Sequence, residues 1–152
     1  MRSVIRRPWG AILSLALGIA TPAVGRADIL LGHSGDLSGT SAALTKDYLR
    51  GMNAYFEDLN KKGGIRGEKV KLVSLDDGFN PDKTVENTKS LIDQNVLALV
   101  GYRGTANVLK IVPVVQAAGI AQVGNTSGAK SLRDPYVQNV FHLRASTTRE
   151  IE

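Results

Sequence analysis

Two short polar loops carry the residue types that could hold an anionic or carboxylate guest. The first is Gly101-Tyr102-Arg103-Gly104-Thr105, whose glycines permit close backbone approach and whose threonine offers a hydroxyl where a helix begins. The second is Gly124-Asn125-Thr126-Ser127-Gly128-Ala129, which offers an amide, two hydroxyls and backbone donors. Helix caps use these same residue types, so Thr105 and Ser127 have two readings, guest binding or capping of their own helices.

Other chemistries find less support. Neither glycine cluster carries G-x-G-x-x-G or G-x-x-x-x-G-K, which disfavours nucleotide binding. Asp76 and Asp77 could form a phosphoacceptor or a Mg²⁺ pair, but adjacent strand residues point to opposite faces, and loop capping suits them better. Ser34 and Ser38 lack histidine and carboxylate partners at a recognised spacing, and G-x-S-x-G is absent, so no catalytic residue is assigned. His33 and His142 are far apart, and the chain has no cysteine, so neither a metal nor another cofactor is expected. Lys61-Lys62 reads as a solvated helix end, where cations offset the dipole.

The elements that must position the two loops alternate. Ile29 to Gly32 reads as a first strand, followed by a loop over His33 to Thr40. From Ser41 to Lys61, Leu44, Tyr48, Met52, Tyr55 and Leu59 recur every three or four residues, with Leu49 and Phe56 widening the stripe. That spacing predicts an amphipathic helix packed on a sheet and closed by Gly63-Gly64. Lys69 to Leu75 reads as a second strand. Asn80 can cap and Pro81 can open a second helix that buries Val85, Thr88, Leu91 and Ile92. Val96 to Val100 is a third strand, apolar on both faces as a covered parallel strand should be. A helix with Val108, Ile111, Val112 and Val115 follows, which Pro113 should kink or restart. Ile120 to Val123 is a fourth strand. A turn near Leu132 to Pro135 then leads to a last strand, Asn139 to Leu143. Repeated βα units of this length predict an α/β fold, a doubly wound parallel sheet with right-handed crossovers. Both polar loops then lie on one edge of that sheet, outside the carboxyl ends of the strands.

The chain has 152 residues and a net charge of +5. Four arginines and no acidic residue fall within residues 1–27, leaving 15 basic against 14 acidic residues in the remainder. The excess charge is therefore local, and no nucleic-acid partner is expected. A basic start, an apolar run from Trp9 to Ala20, Pro22 and the small residues Gly25 and Ala27 match a secretory signal peptide, with cleavage expected after Ala27. The other reading, a membrane anchor, fits less well: about twelve apolar residues reach about 18 Å as a helix, short of the roughly 30 Å hydrocarbon core. Residues 28–152 then form one exported domain that no disulfide can brace.

Several segments together resemble a known family. Leu31-Gly32-His33-Ser34 with Leu37-Ser38-Gly39, then Asn60-Lys61-Lys62-Gly63-Gly64-Ile65-Arg66-Gly67, Leu75-Asp76-Asp77 and Asn80-Pro81, are similar to the start of periplasmic substrate-binding proteins of the leucine/isoleucine/valine-binding family. Val100-Gly101-Tyr102-Arg103-Gly104-Thr105, Gly128-Ala129 with Leu132-Arg133-Asp134-Pro135, and Val140 to Ser146 with Glu150 continue the resemblance. It implies the Rossmann-like first lobe of a two-lobed, hinged periplasmic receptor. Such a receptor catches a small solute and delivers it to an ABC-type permease in the inner membrane.

In that family, hydroxyls and backbone groups from the loops after strands three and four hold the ligand's α-carboxylate and ammonium. The resemblance places Thr105 on the family's hydroxyl position, with Arg103 and Gly104 beside it. It puts Gly128 where amino-acid binders often have threonine, so that Ser127 or Thr126 supplies the hydroxyl, with Asn125 in the same loop. Leu44 stands where an aromatic often covers the ligand. Phe79 and Gly104 stand where some relatives have a cysteine pair. These departures weigh against leucine-type specificity and leave carboxylate-bearing solutes open. Family members run to more than twice this length, so the resemblance also implies a fragment: an incomplete first lobe without the second. A sensor module of the same fold and an exported α/β hydrolase are the alternative readings.

Overall fold

A computed structural model of the chain describes residues 27–151. The expected leader lies outside the described residues except for Ala27. Five strands, β1 (Ile29–Gly35), β2 (Val70–Asp76), β3 (Ala98–Val100), β4 (Ala121–Val123) and β5 (Val140–Phe141), form one parallel sheet in the order β2-β1-β3-β4-β5. Between them run α1 (Ala42–Lys61), α2 (Pro81–Asp93) and α3 (Thr105–Ala118), and a short α4 (Thr147–Ile151) closes the described chain. This is the α/β parallel architecture that the alternating pattern predicts. No helix among the described residues is long and apolar enough to cross a membrane.

The two faces of the sheet are covered differently. A Cβ on Gly32 would meet Leu91 of α2, Leu99 of β3 and Val96, whereas one on Gly35 would meet His33 and Thr45 of α1. So α1 lies on one face and α2 on the other. On the α2 and α3 side, Leu91, Val96, Leu99, Tyr102, Val108, Ile111, Val115 and Leu132 form the buried core. On the α1 side, alternation places Val100, Val123 and Phe141 side by side in register, and they remain half-buried or exposed.

Several boundaries differ from the sequence expectation for identifiable reasons. β1 continues through His33, Ser34 and Gly35, because these residues pair with Ser74, Leu75 and Asp76 of β2, with His33 Nδ1 and Ser34 Oγ finding partners. His33 is fully buried, its Nδ1 3.0 Å from the Val100 carbonyl. Burial lowers its pKa, which keeps the ring neutral and lets Nδ1–H donate. α3 runs unbroken through Pro113. The buried strip of α1 is Thr45 and Leu49, with Met52, Phe56 and Leu59 half-buried. Leu44, Tyr48 and Tyr55 of the expected stripe are 56%, 38% and 66% exposed. The helix lies along β2 at the sheet's margin, so only a narrow strip meets the sheet, and a polar Thr45 fits where it crosses His33 and Gly35.

Capping is as the residue types dictate at α2. Asn80 Oδ1 accepts from the Asp82 amide at 2.8 Å, and Pro81 opens the helix, where a missing N–H costs nothing. At the end of α1 the Gly64 amide donates to the Leu59 carbonyl at 2.9 Å. Gly64 has φ +70°, and a Cβ there would lie 2.0 Å from the Glu68 carbonyl oxygen, so only glycine fits.

The two aspartates at the end of β2 hold neighbouring hydroxyls and backbone amides. Asp77 is buried: its Oδ2 accepts from the Ser34 and Thr84 hydroxyls, both at 2.9 Å, and its Oδ1 from the Phe79 amide at 2.9 Å. Asn107 of α3 donates to Thr84 at 2.7 Å, and Asn87 of α2 to Ser34 at 3.1 Å. One carboxylate therefore ties β1, α2 and α3 together. Asp76 accepts from the Leu37 and Gly78 amides at 2.8 and 3.0 Å. With the Ser38 hydroxyl first, then these amides, its carboxyl is held down at about 2.

Asp77→Ala leaves the buried Ser34 hydroxyl and the Phe79 amide without their acceptor and the Thr84 hydroxyl with the Asn80 carbonyl alone. It should cost about 3 kcal/mol, read as a lower urea midpoint; an unchanged midpoint would contradict this role. Because the folded state lowers the Asp76 pKa from 3.8 to about 2, its contribution is present above pH about 4 and is lost as pH falls through about 2. Unfolding free energy measured from pH 4 to 2 should fall less steeply in Asp76→Asn; an identical slope would refute the assignment.

Candidate functional site

The site forms where β3 and β4 end. Val100 and Val123 are register partners, so residues 101 and 124 leave the sheet at one level. Gly101 N–H donates to the Val123 carbonyl at 3.0 Å, and Thr126 N–H donates to the Tyr102 carbonyl at 3.0 Å. Tyr102 is itself anchored, its buried hydroxyl 3.0 Å from Thr88 Oγ1, with burial pushing its pKa up. The two loops thus run alongside each other, and Thr105 Oγ1 and Ser127 Oγ meet at 2.9 Å.

This contact tells against the capping reading for Thr105. Gly104 is the cap residue of α3 and has no side chain; Thr105 is the first helical residue, and its hydroxyl makes no capping bond. Ser127 holds its own loop: its Oγ accepts from the Ala129 amide at 3.2 Å while paired with Thr105. Whichever hydroxyl donates in the pair, the other retains a hydrogen for an outside acceptor. The first turn of α3 adds unbonded N–H groups and the positive end of its dipole.

A cleft of about 340 Å³ opens over this pair. Of the residues singled out from sequence, Arg103, Gly104, Thr105, Thr126, Ser127 and Gly128 line it. Two do not. Asn125 is buried and turned inward: its Oδ1 accepts from the Ser127 amide at 3.1 Å, its Nδ2 donates to Gln122 Oε1 at 3.0 Å, and His142 Nδ1 lies 3.3 Å away. It shapes the loop from below. Leu44 is exposed near the start of α1 and is not part of the cleft wall.

Phe79, Ala129, Arg144 and Thr147 line the cleft without having been singled out for it. Phe79, in left-handed conformation at φ +62°, lays its ring against Gly104, where a Cβ would lie 2.9 Å from it. Thr147 sits over Gly128, its Oγ1 2.5 Å from where a Cβ would be and its amide bonded to the Gly128 carbonyl at 2.9 Å. A hydroxyl from α4 therefore occupies the space that a larger residue at 128 would take. Arg144 donates to the Thr126 carbonyl at 3.0 Å and to both oxygens of Glu150 at 2.7 and 2.6 Å. That pairing raises the arginine's pKa and lowers the glutamate's. Arg133 braces the site from behind, donating to the carbonyls of Ser127 and Ala129 at 3.1 and 3.0 Å and of Arg144 at 2.9 Å.

Such an arrangement can hold an acceptor-rich group by hydroxyls, amides and positive charge. Two serine hydroxyls are engaged within the chain: Ser34 donates to Asp77, and Ser127 pairs with Thr105. Among the described residues no group of three or more His, Asp or Glu could hold a metal ion.

Comparison with known proteins is consistent across sequence and structure. Residues 28–152 match the family described as periplasmic binding protein. An amino acid binding protein of Pseudomonas aeruginosa is 35% identical over 132 residues, covering 86% of this chain and 35% of its own length. The crystal structure of a possible leucine/isoleucine/valine-binding protein from Rhodopirellula baltica superposes with a TM-score of 0.77 at 34% identity, covering 86% of this chain and 35% of that one. A substrate-binding periplasmic protein from Ralstonia solanacearum gives a TM-score of 0.74 at 36% identity, with coverages of 80% and 35%. The chain spans about a third of the length of these relatives.

Gly128→Thr should drive Thr147 off the loop. Amide hydrogen exchange at Thr147 should speed up by about tenfold or more as its bond to the Gly128 carbonyl opens; exchange at the native rate would show that the loop has room for a side chain.

Proposed function

This chain belongs to the periplasmic binding protein family, with the type I fold, and from that premise we propose that it is the first-lobe part of a solute receptor serving an ABC importer. Its solute is an amino acid or a related small molecule bearing a carboxylate, and it acts by binding, without turnover. The observation that carries this reading is the Thr105–Ser127 pair, 2.9 Å apart at the sheet rim, with the α3 N-terminus behind it and the cleft in front. A carboxylate there accepts the spare hydroxyl hydrogen and the first N–H groups of α3, an arrangement suited to an anion because the helix dipole adds to the hydrogen bonds.

The wider assignments follow from the same reading. Tight sites enclose 70% or more of a small ligand's surface, whereas this cleft supplies one wall, with Thr105 exposed on it. We assign the facing wall to a second lobe, which the greater length of the relatives accommodates. Closure of two lobes over the solute would then present a surface to a membrane permease. Residues 1–27 would direct export to the periplasm and be removed after Ala27.

The test is binding to substituted chains. Thr105→Ala and Ser127→Ala should each weaken carboxylate binding by about tenfold, the effect expected for loss of one hydrogen bond to a charged group. Amide chemical-shift titration of the isotope-labelled chain measures this even at millimolar affinity. Native affinity in both variants would move the site elsewhere.

A further inference from the structure

Two guanidinium groups line the cleft, and they differ in one respect. Arg144 is neutralised by a bidentate pair with Glu150 at 2.7 and 2.6 Å. Arg103 forms no hydrogen bond or ion pair with any described residue, and its Nη1 is sealed from solvent with no acceptor. No aspartate or glutamate lines the cleft. A partly desolvated guanidinium without a counter-charge is an unfavourable arrangement, and a negative charge brought into the cleft by a guest offsets it.

The consequence is a cleft with one uncompensated positive charge beside the hydroxyl pair. A carboxylate meets that charge favourably. An α-ammonium group enters the same field as a like charge, with no carboxylate on this wall to receive it. Resting on the reading of the rim as a carboxylate site, we infer that Arg103 sets the charge class of the solute. The site favours solutes with net negative charge, either carboxylates without an α-ammonium group or solutes with a second acid group, over zwitterionic amino acids.

Three probes and one substitution test this on the full chain by amide chemical-shift titration. Leucine is the zwitterion, 4-methylpentanoate is its carbon skeleton without the ammonium, and succinate carries two carboxylates. Both anions should bind about tenfold or more tighter than leucine, the scale of one charge-assisted contact. Their relative order identifies whether the apolar tail or the second acid is preferred. In Arg103→Gln both anions should weaken by about tenfold and lose most of their advantage over leucine; the same spectra report whether the variant is folded. Leucine binding as tightly as 4-methylpentanoate, or anion affinity unchanged in Arg103→Gln, would overturn the inference and leave the rim site standing. If none of the three probes shifts the amides of Thr105 and Ser127, the rim site falls, and this inference with it.

Discussion

Val100 and Val123 face each other in parallel register, and the arrangement of the rim follows from that pairing. Parallel strands end at the same edge, so the loops after β3 and β4 must leave together. Once they do, the Gly101 and Thr126 amides reach carbonyls across the gap, and two hydroxyls 22 residues apart in sequence come within hydrogen-bond distance. A one-residue slip would turn Leu99 out of the core and separate Thr105 from Ser127 at the same time. Core packing and site geometry are therefore specified by the same register.

What keeps this rim in shape is polar and lies beneath it. Asp77 gathers groups from β1, α2 and α3, Tyr102 is pinned to Thr88, and Asn125 turns inward to hold the Ser127 amide. Arg133 spreads its guanidinium across carbonyls of both the 127–129 and 144–145 segments. Groups held this way need little reorganisation when a guest arrives, which is how a site of few contacts gains affinity. The exception is Arg103, the lining residue with a charge and no partner among the described residues.

The legible part of this molecule was the part governed by period. Strand and helix alternation, the Asn80-Pro81 cap and the glycine-closed end of α1 follow from local rules, and the structure shows each of them. The α1 stripe differs from its expectation because periodicity identifies an apolar face but not which part of it touches a sheet; at the margin Thr45 is buried and Tyr55 is not. Residue type does not separate two roles at Asn125, whose amide suits a ligand and a loop equally well, and Leu44 rests on likeness alone; neither lines the cleft. Phe79, Arg144 and Thr147 were hidden for another reason. They reach the cleft only through the chain's path, from the turn after β2 and the segment after β5, and no local spacing reports that. Gly128 carried a signal in retrospect: a glycine where a hydroxyl was expected leaves room for one from elsewhere, and Thr147 fills it.

The central claim is that a carboxylate is held at the Thr105–Ser127 pair, and a crystal structure of the chain grown with saturating 4-methylpentanoate tests it most directly. The account predicts a carboxylate oxygen about 2.7 Å from one of the two hydroxyl oxygens and close to the first N–H groups of α3. A carboxylate bound away from that rim, or hydroxyls too far apart to share a guest, would contradict it.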